Sequence, residues 1–128
     1  MRILLDTHVF LWLQTEPERL GERLALVEDR ATDLLLSAAS SWEIAIKHAL
    51  GRLTLPQAPE RYVPSRLRAI DAQPVAIEHS HALAIASLPS LHRDPFDRLL
   101  VAQAHALGVP ILTADEAVVQ YPVETLLV

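Results

Sequence analysis

The sequence predicts an α/β protein whose parallel sheet is covered by helices on both sides. Two observations lead there. Short aliphatic runs such as "RILLD" (residues 2–6) and "DLLLSA" (33–38) lack the alternation of a half-exposed strand. Strands buried on both faces read in this way. Between such runs lie segments with apolar residues at helical spacing. Strand–helix alternation requires right-handed crossovers, and these make neighbouring strands parallel.

The elements come in a clear order. The first strand (2–6) leads into a helix, "THVFLWLQ". "PERLGERLALVEDRA" sets Leu20, Leu24 and Val27 at helical spacing and predicts a second helix, which Gly21 weakens mildly. The second strand (33–38) precedes the helix "SSWEIAIKHALG", with Gly51 at its C-terminal cap. After the proline-rich loop "LTLPQAP", "PERYVPSRLRAI" predicts a helix whose start Pro64 obscures. "PVAIE" reads as a short third strand and "SHALAIASL" as a short helix. Residues 94–107 form the next helix, ended by Gly108. "VPILTAD" is a fourth strand, "EAVVQY" a turn of helix and "VETLLV" a fifth strand. No repeat, linker or low-complexity tract divides the 128 residues, and their number suits one domain, 1–128.

Composition narrows the function classes. The chain has no cysteine, which excludes disulfides, thiol catalysis and cysteine-based zinc sites and suits a reducing cytosol. No apolar run approaches the ~20 residues of a membrane span. The charges at Arg2 and Asp6 interrupt the N-terminus too early for a signal peptide. The expectation is a cytoplasmic protein with no membrane contact. An apolar fraction of 51% and a mean hydropathy of +0.23 point to apolar surface that faces a partner. The net charge of −5 repels phosphate and does not suit ordinary nucleic-acid binding. Two features soften that. Ten of the eleven basic residues are arginine, the side chain best shaped for phosphate. Acids that surround a divalent cation also present less negative charge than they carry.

The acids fall in a pattern. Asp6 ends the first strand and Asp115 comes after the fourth. Glu43 opens the helix after the second strand, while Asp94 and Asp97 open the helix before the fourth. In a parallel α/β sheet these places share one edge, where ligand crevices form. Each acid also has a structural explanation. Asp94 suits an N-cap, with Pro95 at the first helical position and Asp97 at the positive end of the helix dipole. Asp6 and Asp115 can each cap the helical segment that begins after them. Glu43 fits a capping box with Ser40, or an ion pair with Lys47 one turn on. Four acids on one edge are a different matter, because clustered carboxylates raise one another's pKa unless opposite charge is present. Lys47 is the one lysine, and a metal ion is the simplest missing charge. All-oxygen sites suit Mg²⁺ or Mn²⁺, and such ions equip phosphodiester hydrolysis.

"LLDTH", "SAASSWEIAIK", "DPFDRLLVAQA" and "ILTAD", in this order and across nearly the whole chain, resemble the PIN-domain ribonucleases. More narrowly, the chain is similar to VapC-type toxins of bacterial type II toxin–antitoxin systems. The resemblance implies a five-stranded parallel sheet in the order 3-2-1-4-5 and a Mg²⁺- or Mn²⁺-dependent endoribonuclease that leaves 5′-phosphate and 3′-hydroxyl ends. It places the family's acidic quartet, catalytic and metal-binding, on Asp6, Glu43, Asp97 and Asp115. Asp97 takes the third place because it directly precedes "RLLVAQA"; Asp94 is then the helix cap or an additional ligand. Thr7 and Thr113 stand where the family often has a hydroxyl near the metal. The resemblance also implies an RNA substrate, a homodimer and a cognate antitoxin lying over the crevice.

Other residues invite less. His79 and His81 point apart in a strand and by about 200° on a helix, which makes a poor metal pair. Phe10, Trp12 and Leu13 read as helix core or a partner-facing patch rather than a base-stacking platform, and His8, close to Asp6 in sequence, as a helix-surface residue in preference to one that touches substrate. Arg52, Arg61, Arg66 and Arg68 suit a phosphate-binding rim or a solvated helix face equally. The roles of His92 and Arg93 are open. A receiver-like signalling module is the first rival, but Thr7 and His8 come after Asp6 where it needs a second acid. A Rossmann-type nucleotide binder lacks its glycine-rich loop, since the chain has three glycines in all. A non-catalytic interaction protein, its acids serving as caps, stays open.

Overall fold

The computed structural model describes residues 1–91 and 94–128. The described residues form a five-stranded sheet in the order third, second, first, fourth and fifth strand, all neighbours parallel. The strands are β1 (Arg2–Leu5), β2 (Asp33–Ser37), β3 (Gln73–Val75), β4 (Ile111–Thr113) and β5 (Thr125–Leu127). The connecting helices are α1 (Thr7–Thr15), α2 (Arg23–Glu28), α3 (Ala38–Ala49), α4 (Pro59–Ala69), α5 (His79–Ala84) and α6 (Pro95–Leu107).

The unbroken aliphatic strands are explained by two cores, one on each face of the sheet. In β1 successive side chains point to opposite faces. Ile3 and Leu5 join Val9 and Phe10 of α1, Leu34, Leu36, and Val63 and Leu67 of α4. Leu4 between them joins Leu35 and the α6 residues Leu100, Val101 and Ala104. Ile3, Leu4 and Leu5 have no exposed surface. A strand buried on both faces has no place for a polar residue until it ends, and β1 ends at Asp6.

That ending sits where the chain order reverses. β1 lies between β2 and β4, so the chain leaves β1 toward one side of the sheet and returns on the other. The gap outside the ends of β1 and β4 is the switch point at which ligands bind in such sheets. The Asp6 N–H donates to the Leu112 carbonyl at 2.9 Å and fixes the end of β1 against β4.

Three expectations need correction. The helix expected from Pro17 onward is two pieces, a 3₁₀ turn (Pro17–Leu20) and α2. Gly21 between them has φ +54°, a left-handed conformation that no α-helix contains. The third strand stops at Val75, not at Glu78; Glu78 instead caps α5. The N-cap of α3 is Ser37, whose hydroxyl accepts from the Ala39 N–H at 3.0 Å. Ser40 lies inside the helix, so Glu43 belongs to no capping box with it. Pro64 also lies inside α4, which begins at Pro59.

Ser37→Ala removes the cap of α3 inside the core. It is expected to lower stability by about 1 kcal/mol in urea unfolding. An unchanged midpoint would show that the cap contributes nothing.

Candidate acidic crevice

Asp6, Glu43, Asp97 and Asp115 line one crevice of about 290 Å³, together with Asp94, His8, Trp12, Lys47 and Ala114. Two larger hollows, of about 670 and 630 Å³, lie elsewhere and contain none of the four. The strand ends and helix starts that border the switch point supply the acids. Asp6 directly succeeds β1, and Asp115 comes two residues after β4. Asp94 and Asp97 belong to the first turn of α6, and Glu43 comes from the second turn of α3.

Three of these acids do cap helical segments. Asp6 accepts from the Thr7 N–H at 2.7 Å, Asp94 from Phe96 N–H at 2.9 Å and Asp115 from Ala117 N–H at 3.0 Å. Glu43 caps nothing. It sits mid-helix and 3% exposed, with Lys47 Nζ at 2.7 Å from its Oε2. The pair spans a buried carboxylate and a partly exposed ammonium, and it offsets part of the cost of keeping the Glu43 charge out of water.

The two threonines are buried beneath the crevice. Thr113 Oγ1 donates to Asp6 Oδ2 at 2.6 Å and accepts from the Asp115 N–H at 3.0 Å, so one hydroxyl braces two of the acids. Thr7 Oγ1 donates to Ser40 Oγ at 2.9 Å and ties α1 to α3. The Asp6 carboxyl is pushed above its usual 3.8 chiefly by burial. The Thr113 and Thr7 hydrogen bonds and the charge of His8 pull it down, and Glu43 adds to the rise. An ionised Asp6 is therefore only partly compensated by its surroundings.

Among the described residues, no three carboxylate or imidazole groups close on one point to form a finished cage. The arrangement is an open, acid-lined crevice. Its all-oxygen donors fit Mg²⁺ or Mn²⁺, and Mg²⁺ takes only one or two carboxylates and completes its shell with water and substrate phosphate. His81 belongs to a different setting: its Nδ1 accepts from the Glu78 N–H at 3.0 Å, which holds it as a cap partner inside the fold. Arg66 Nε donates to Gln14 Oε1 at 2.9 Å. Arg52, Arg61, Arg66 and Arg68 are not among the crevice's lining residues. His92 and Arg93 lie outside the described residues.

His8, Trp12 and Lys47 were not expected as crevice walls. A signal was present: residues 8 and 12 are four apart on the helix that Asp6 caps, and 47 is four beyond Glu43.

The model of the PIN domain family matches residues 3–123. The chain belongs to the PIN-domain family. Within it, the ribonuclease VapC22 of Mycobacterium tuberculosis is 31% identical over 114 residues, 88% of this chain and 86% of that protein. The ribonuclease VapC16 of the same organism is 42% identical over 64 residues, which is 50% of this chain and 45% of that protein. The chain thus matches less than half the length of that relative. Among solved structures, VapBC2 of Rickettsia felis bound to a promoter DNA fragment shares the fold at a TM-score of 0.77 and 12% identity, over 100% of this chain and 99% of the other. VapBC-1 of Haemophilus influenzae does so at 0.62 and 18%, over 99% and 98%. The PIN-domain fold leaves the receiver-like alternative without support.

Because the folded chain disfavours the ionised Asp6, that penalty is full above its raised pKa and fades as pH falls to the ordinary carboxylate range. Asp6→Asn is therefore expected to unfold at higher urea than the wild type at pH 7 in EDTA. The difference should shrink toward about pH 4. A difference independent of pH would remove the burial argument.

Proposed function

We propose that this PIN-domain protein is a divalent-metal-dependent endoribonuclease, and a VapC-type toxin held in check by an antitoxin. The observation that carries the reading is the buried Glu43. Capping explains Asp6, Asp94 and Asp115, whereas Glu43 caps nothing, and its ion pair with Lys47 anchors a buried mid-helix carboxylate that lines the same crevice. The names of VapC16 and VapC22 support ribonuclease activity, and the VapBC assemblies support an antitoxin partner.

Asp6, Asp97, Asp115 and Glu43 would hold Mg²⁺ or Mn²⁺. When bound, the ion supplies positive charge that activates water and stabilises the leaving oxygen of an RNA phosphodiester. The chain's own contribution is to keep the carboxylates oriented. Thr113 fixes Asp6 and the backbone that carries Asp115. The start of α6 favours an ionised Asp97 through its dipole. Lys47 holds Glu43 in place. Asp94, which accepts from the Phe96 N–H, acts as a cap and stands next to the site. The same reading includes a homodimer and a cytoplasmic location; no helix among the described residues is long and apolar enough to cross a membrane.

A second reading has an observation behind it. Three of the crevice acids cap helical segments, which suits an interaction protein without catalysis. The two readings separate on purified protein with total RNA. Asp97→Asn is expected to cut cleavage at least ~100-fold while leaving the unfolding midpoint near that of the wild type. Asp94→Asn is expected to stay within about 10-fold. Equal losses would assign the two aspartates equal roles.

EDTA is expected to stop cleavage and Mn²⁺ or Mg²⁺ to restore it. Either ion should also raise the melting temperature of the wild type by mass action, and raise that of Asp97→Asn less. Full activity in chelator, with no thermal shift, would overturn the metal-dependent reading.

A further inference from the structure

We infer that Trp12 and Lys47 form the wall that grips substrate in the acidic crevice, Trp12 by stacking an unpaired nucleobase and Lys47 by holding a phosphate beside it. The inference rests on the nuclease reading above and names the substrate as single-stranded RNA.

The placement comes from two helices. α1 and α3 each come directly after a strand of the parallel sheet and so start at the same edge. The Thr7–Ser40 hydrogen bond ties them together. Asp6 caps α1, and Trp12 lies six residues on, about 9 Å along the axis. Glu43 is on α3, and Lys47 lies one turn further, about 6 Å along. Both side chains border the cavity that holds the acids. Lys47 reaches back to Glu43 at the acids, and Trp12 lies further along its helix from Asp6, on the side where a nucleotide next to a bound phosphodiester would lie.

The chemistry of each side chain suits this place. Trp12 is half-buried, with part of its surface on the core around Phe10. The Arg19 guanidinium stands 4.0 Å from its ring centroid and steadies the ring from one face. The His8 ring lies 6.3 Å away, tilted by 53°. A rigid indole beside a phosphate site offers stacking to any base, and only an unpaired base can reach it. Lys47 is the one lysine or arginine among the described residues that line the crevice. Its ammonium has three N–H donors, and the ion pair with Glu43 engages one. With 37% of the side chain exposed, it has room to donate to a phosphate oxygen as well. An acidic crevice that receives RNA needs such a cation at its wall.

The test uses Trp12 as its own probe. In a Trp42→Phe, Asp97→Asn protein with Mg²⁺, Trp12 is the single tryptophan and the RNA stays intact. A short unstructured RNA is expected to quench its emission by about half, and the same sequence as a duplex to quench it far less. By anisotropy, Trp12→Ala should weaken binding about 10-fold, and Trp12→Phe should recover most of that. Lys47→Ala should lower the salt slope of binding by about one, and Lys47→Arg should keep it. Unchanged Trp12 emission at saturating RNA would overturn the inference even if Trp12→Ala fails to fold. So would equal quenching by duplex, or equal affinity in Trp12→Ala. Cleavage by the wild type is scored separately. Cleavage without quenching sinks this inference alone, and quenching without cleavage sinks the nuclease reading alone.

Discussion

A carboxylate held out of water at the point where the sheet reverses its order is the constraint on which the rest depends. Asp6 is 6% exposed, and its pKa is raised by burial. The chain invests structure in keeping it there: the Leu112 carbonyl anchors its backbone, Thr113 braces one oxygen and the Thr7 N–H the other. Two hydrogen bonds to a buried anion lower the penalty without removing it. A group that stays unfavourable after such bracing is a stability liability. Strained and underpaired groups of this kind cluster where a fold performs its function.

The sheet topology turns that local feature into a crevice. Asp6 and Asp115 lie past the ends of neighbouring parallel strands, so Thr113, at the end of β4, can reach back to Asp6. α3 and α6 each begin at the same edge and carry Glu43 and Asp97 to it. Capping and convergence are therefore two results of one geometry. Residues at strand ends and helix starts have unpaired amides beside them, which aspartate satisfies. The same residues face the switch point. An aspartate there can cap with one oxygen and still present its charge to the crevice, so capping alone cannot argue against chemistry. Glu43 separates the two because no helix end needs it.

Much of this was legible in the sequence, for identifiable reasons. Strands buried on both faces leave uninterrupted aliphatic runs, and "RILLD" and "DLLLSA" show them plainly. The caps Asp94 and Asp115 arise from local backbone chemistry, and the Glu43–Lys47 pair from helical spacing. The features that were missed needed information from outside the segment. Gly21 breaks its helix because it adopts a left-handed φ, which composition does not dictate. Ser37 rather than Ser40 caps α3 because the helix begins directly after the strand, about one turn earlier than the serine pair suggests. Trp12 reads as a core residue from its own helix, and only the packing of α1 beside α3 makes it a wall of the crevice.

The acidic character of the whole chain is compatible with the proposed RNA cleavage once distance is taken into account. A net charge of −5 opposes RNA at long range, where the field depends on the total. Close to the crevice the balance is local. The carboxylates line one crevice, the cation that its described lining supplies, Lys47, is already committed in part to Glu43, and on the proposed reading doubly charged ions would meet the acids. Phosphate would then meet a site whose sign is set by the ions the acids hold rather than by the acids themselves. Attraction confined to one loaded pocket on a repelling surface discourages the non-specific binding that a basic surface promotes. On the proposed reading, an arrangement of this kind would make metal occupancy strengthen the hold on RNA at the place where the chain would cut it.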